Sequence, residues 1–76
     1  TVSSNTLLGD NVEEGVTLKN SNNVTVSGNL IDDFSTGVDI EGGTTVTVDG
    51  NTMTSVEYGV LADTVAKLKV SNNKIT

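Results

Sequence analysis

The chain of 76 residues repeats itself with a period near 22, and no other feature restricts its fold as tightly. Asn29, Asn51 and Asn73 are spaced by 22 residues, as are Gly15, Gly37 and Gly59, and Asn5 precedes Asn29 by 24. The clearest copy is residues 23–43, NVTVSGNLIDDFSTGVDIEGG. It reads valine, any residue, valine, two small or polar residues, Asn, and an apolar residue soon after. A variable bend follows, and then Gly, an apolar residue, any residue and another apolar residue. A fixed period of this length marks a solenoid, in which each repeat buries its apolar face only against its neighbours.

Within each copy the apolar residues alternate, which is the period of a strand and not of a helix. Val24 and Val26 point to one side and Thr25 and Ser27 to the other. Stacking the copies lines up five inward columns: Val2, Val26, Val48 and Val70; Val24, Val46 and Leu68; Leu7, Ile31, Met53 and Ile75; Val16, Val38 and Val60; Leu18, Ile40 and Ala62. Val12, Phe34 and Val56 each stand three residues before a column glycine and are expected to tuck inward from the bend. The copies divide the chain into coils at 1–23, 24–45, 46–67 and 68–76, with the bend from Leu8 to Glu14 two residues longer than its counterparts. The reading is an all-β, single-stranded, right-handed parallel β-helix of about three and a half coils, with three strands per turn. Neighbouring coils are spaced by about 4.8 Å.

Residue types narrow the chemistry. The chain has no Cys, His, Pro or Trp, and its four basic residues are all Lys. There is accordingly no disulfide, no thiolate or imidazole metal ligand, and no guanidinium fork for phosphate. Ten acidic residues give a net charge of −6, which argues against nucleic acid and anionic membranes as partners. No run approaches the ~18 apolar residues of a membrane span.

The pattern V-x-V-x-x-N-x-I followed by G-V-x-I resembles the repeats of right-handed parallel β-helix proteins of the pectin-lyase-like type, and the resemblance covers the whole chain. It implies that Asn5, Asn29, Asn51 and Asn73 form a stacked ladder in a sharp turn. Asn tolerates a left-handed backbone, which suits such a turn. The resemblance also implies that a catalytic member carries its site outside the strand that begins at Gly15, Gly37 and Gly59. The outward residues there are Thr17, Asp39 and Leu61 in one row and Lys19, Glu41 and Asp63 in the next. Asp39, Glu41 and Asp63 are thus the candidate acid/base or cation-binding residues. The competing reading is a solvated face in which Lys19 balances Glu41. The lyases of that family rely on Arg and its epimerases on His, and both types are absent here.

Asp10, Glu13 and Glu14 in the first bend, with Asp32 and Asp33 in the second, are candidate oxygen ligands for Ca²⁺; solvated loop acids are the alternative. Two functions remain. One is a non-catalytic structural or assembly segment of an extracellular or cell-surface protein, stacking into a fibre or sheath. The other is a fragment of a polysaccharide-active β-helix protein such as a lyase, hydrolase, epimerase or tailspike. Because the repeat pattern runs to both ends without a cap or linker, the expected partners are copies of itself or flanking coils, with polysaccharide for the second function.

Overall fold

A computed structural model describes residues 1–76. The chain is a parallel β-solenoid of about three coils, with eight strands and no helix. The strands are β1 (Val2–Ser3), β2 (Thr6–Leu8), β3 (Glu14–Ser27), β4 (Leu30–Asp32), β5 (Thr36–Asp49), β6 (Thr52–Thr54), β7 (Tyr58–Ser71) and β8 (Lys74–Ile75). They form two parallel sheets, ordered β1-β3-β5-β7 and β2-β4-β6-β8. The register matches Val16 with Val38 and Val60, Leu18 with Ile40 and Ala62, and Val26 with Val48 and Val70. On the other sheet Leu7, Ile31, Met53 and Ile75 align in the same way.

The core is the inside of these columns. Val26, Ile31, Val38, Ile40, Val46, Val48 and Met53 are fully buried, with Val16 close behind. Burial is concentrated in the middle of the stack because only the middle coils have a neighbour on both sides. The two-residue insertion lies in the first bend: Leu8 pairs with Asp32, whereas Glu14 already pairs with Thr36.

Three expectations are corrected. The runs Gly15–Leu18 and Val24–Val26, two of the three strands expected per turn, belong to one strand of 14 residues, because Ser21 and Asn22 pair with Gly43 and Thr44 straight through the corner. The corner is turned by left-handed residues, Asn20, Gly42 and Thr64 on one side of it and Asn23, Thr45 and Lys67 on the other. The turn beside the asparagine column likewise places its left-handed residue one position earlier, at Ser4, Gly28, Gly50 and Asn72, with φ between 55° and 69°. The ladder asparagines themselves have ordinary backbone angles, so they are not there for conformational tolerance. Finally, Val12 does not tuck inward. It is 65% exposed because the longer first bend carries it outward, whereas Phe34 and Val56 pack against the core.

Candidate functional site

The asparagine column is the one continuous hydrogen-bonded polar ladder inside the solenoid, where Thr36 is the other buried polar residue. Asn5 donates from its backbone N–H and its Nδ2 to Asn29 Oδ1, at 2.9 and 3.1 Å. Asn29 donates in the same way to Asn51 Oδ1 at 3.0 and 2.9 Å, and Asn51 to Asn73 Oδ1 at 2.9 and 3.0 Å. The second Nδ2 hydrogen reaches back to a strand carbonyl: Asn29 to Val2, Asn51 to Val26 and Asn73 to Val48. A carboxylate could accept in this geometry but could not donate, and a hydroxyl is too short to do both; only an amide side chain satisfies it. No buried side-chain nitrogen or oxygen is left without a partner. The buried rungs Asn29 and Asn51 therefore have no free group to offer a ligand, and they join coil to coil.

Column glycines solve a packing problem instead. A β-carbon on Gly37 would stand 2.6 Å from Met53 Sδ and 2.7 Å from the Gly59 carbonyl oxygen, and Gly15 and Gly59 are similarly crowded by Ile31 and Ile75. Their backbone angles are ordinary.

Outside, the register sets Thr17, Asp39 and Leu61 in one row and Lys19, Glu41 and Asp63 in the next. Asp39 is half-buried, while Glu41, Asp63 and Lys19 are exposed. The three carboxylates share a ridge but do not converge, and no group of three acidic side chains anywhere in the chain could enclose a metal ion. The same holds for Asp10, Glu13, Glu14, Asp32 and Asp33. Asp32 instead accepts a 2.6 Å hydrogen bond from Thr54 Oγ1 on the next coil. No cavity opens in the surface.

Two outward features were not among the candidates. Asp49 accepts from Ser71 Oγ at 2.9 Å and from Asn72 Nδ2 at 3.0 Å. The Asn72 and Ser71 hydrogen bonds hold its carboxyl below the usual carboxylate range, with a smaller contribution from Lys69. Thr44 Oγ1 donates to Asn22 Oδ1 at 2.7 Å. Asp49–Ser71, Asn22–Thr44 and Asp32–Thr54 are each one coil apart, so the same spacing that reveals the asparagines could have found them.

Compared with known proteins, residues 1–76 match the family described as periplasmic copper-binding protein (NosD). No curated protein and no solved structure gives a match. The donor set of these coils does not fit copper. Soft or borderline copper sites use thiolate, thioether or imidazole; the chain has neither Cys nor His, and its single Met is wholly buried against Gly37. The carboxylates that remain do not converge. Fold and match over the full length agree: the chain belongs to the NosD family.

Proposed function

We propose that these coils are a non-catalytic structural solenoid segment of a protein exported from the cytoplasm. One observation carries this reading. The buried asparagines are consumed in coil-to-coil hydrogen bonds and no buried side-chain nitrogen or oxygen lacks a partner, while the outward rows supply neither a cavity nor a convergent set of donors. The family's periplasmic description supports the location. A segment of this kind holds a length and a spacing and presents rows of side chains at a repeat of about 4.8 Å.

Ridge residues Asp39, Glu41 and Asp63 support a second reading, contact with a polysaccharide, because Asp39 and Glu41 share one strand face and Asp63 follows Glu41 on the next coil. One experiment separates the two. The chain is incubated with a panel of neutral and uronic polysaccharides, and with Cu(II) and Cu(I), then passed over a desalting column. The structural reading expects no new reducing ends, no unsaturated products and no stoichiometric copper retained with protein. Glycan cleavage that is lost in Glu41→Gln would overturn it in favour of the second reading. One retained copper per chain would overturn the donor-set argument.

A further inference from the structure

Of the nine asparagines, Asn23 alone opens the sequence Asn, any residue but Pro, then Ser or Thr, here Asn23-Val24-Thr25. That tripeptide is the acceptor for N-linked glycosylation. The fold explains why the ladder asparagines do not share it. Two residues after Asn5, Asn29, Asn51 and Asn73 stand Leu7, Ile31, Met53 and Ile75, an inward apolar column in which a hydroxyl would be buried at a cost.

Asn23 sits at the corner of β3, between the pairs Asn22–Thr44 and Val24–Val46. Its φ of 56° is left-handed and its side chain is exposed. The exposure belongs to the corner and not to a place in the stack. Thr45 occupies the same left-handed position one coil on, with Asn23 to one side and Lys67 to the other, and it is exposed as well. The Asn23 amide takes part in no hydrogen bond. Other surface asparagines are engaged: Asn22 Oδ1 accepts from Thr44 Oγ1, and Asn72 Nδ2 donates to Asp49.

We propose that Asn23 is an N-glycosylation site, filled by an oligosaccharide taken from a polyprenyl phosphate or diphosphate carrier. The site rests on the export reading above, since acceptors of this kind belong to secreted proteins. In the transfer Asn23 Nδ2 attacks C1 of the first sugar. The Nδ2–C1 bond forms as the bond from C1 to the carrier phosphate oxygen breaks. That oxygen leaves with the electron pair, and one Nδ2 proton passes to solvent; nothing is oxidised or reduced.

The order of events follows from the pairing. A transferase must grip the tripeptide from all sides, but in the folded chain Asn22, Val24 and Thr25 are paired with Thr44, Val46 and Thr47, and Thr25 is half-buried. Transfer therefore precedes closure of β3 against β5. Closing afterwards leaves the core undisturbed. Val26 and Val46 pack on the inside, while the first sugar meets Thr45 and Lys67, a hydroxyl and an ammonium in solvent.

The test takes the protein from the cells that make it, fractionated by compartment and digested for peptide mass spectrometry. The peptide holding Asn23 should be recovered outside the cytoplasm with the added mass of whole sugar residues, and Asn23→Gln should abolish the addition. Exported protein with Asn23 bare refutes the glycosylation site and leaves the export reading standing. Protein confined to the cytoplasm refutes the export reading and the site together. The geometry is checked in the purified chain, which has no Cys of its own. Asn23→Cys in the folded chain should react with a sugar-bearing iodoacetamide at a rate close to that in urea, and the labelled chain should keep its cooperative melt. Val48→Cys, at a fully buried position, should react only in urea. Protection of position 23 like that of position 48, or loss of the melt on labelling, would show that the corner does not carry a sugar and overturn the proposal.

Discussion

Replacing Asn51 by alanine should be the most damaging single change on the polar side of this fold. Asn51 is 1% exposed and has a ladder neighbour on each side. Its side chain accepts from Asn29 N–H and Nδ2 and donates to the Val26 carbonyl and Asn73 Oδ1. Truncation does not orphan all four partners. Asn29 Nδ2 keeps the Val2 carbonyl, and Asn73 Oδ1 keeps the Asn51 N–H. Asn29 N–H is left with nothing, whereas the Val26 carbonyl lies within the paired strands β3 and β5. At about 1–3 kcal/mol for a buried group stranded, the loss is roughly 1–3 kcal/mol. A domain of this length holds roughly 4–11 kcal/mol at the usual 0.05–0.15 per residue, so this is a large share of the total. Asn5→Ala is the informative comparison: it removes one donor to an oxygen that still receives Asn5 N–H, so its cost should be near zero. Asn11→Ala tests a different cause, since Asn11 is exposed with φ 71°. Its cost should be the left-handed penalty of about 1–2 kcal/mol. Urea unfolding followed by circular dichroism gives all three from midpoints at constant slope. An Asn51→Ala shift no larger than that of Asn5→Ala would refute the ladder as a source of stability.

The other expectations are narrower. Gly37→Ala should destabilise by about 1–3 kcal/mol through overpacking, because its β-carbon would meet Met53 Sδ and the Gly59 carbonyl, whereas Gly50→Asn should be nearly neutral, since Gly50 has open space and needs only a positive φ of 69°; thermal melts of the two variants check this. Asp49 has a depressed pKa in the folded chain, so its contribution is present above the ordinary carboxylate range and is lost as pH falls through the lowered value. An NMR titration should find Asp49 ionising below the ordinary carboxylate range, and Asn72→Ala should move it upward. Glu41→Gln should leave the melting temperature unchanged or slightly raised, with millimolar Ca²⁺ making no difference to parent or variant; a calcium shift that depends on Glu41 would reverse the assignment of that ridge to solvent.

How far the fold can be read from the residues depends on which residues the coil period controls. A one-coil spacing puts Val26 against Val48 and Asn29 against Asn51, and in the folded chain each pair is in contact across a parallel ladder. The period is visible because an inward position admits few substitutes. What escapes it are positions fixed by backbone shape. Ser4, Gly28, Gly50 and Asn72 all adopt the left-handed angle, yet share no side-chain type, so the turn looks as though it belongs to the invariant Asn beside it. The corner at Asn20–Asn23, Gly42–Thr45 and Thr64–Lys67 is equally mixed, and nothing in those residue types says that pairing runs through it unbroken. Val12 misled for the opposite reason. Its place in the pattern is apolar, but the insertion before it carries the chain away from the core.

Function is less legible because the outward rows are free of that control. Along the ridge, one row reads Thr17, Asp39, Leu61 and the next Lys19, Glu41, Asp63: a hydroxyl, carboxylates, an apolar side chain and an ammonium on the same two tracks. The backbone beneath is indifferent to which occupies them, since an exposed side chain away from special features changes stability by only about 0.5 kcal/mol in either direction. Family membership rests on a match over residues 1–76. It does not carry a copper site onto a chain whose thioether is sealed at Met53 and whose carboxylates stand in rows and do not converge. A ligand would have to be recognised by several coils at once, through a row and not a pocket, and the row that continues most faithfully is the one inside.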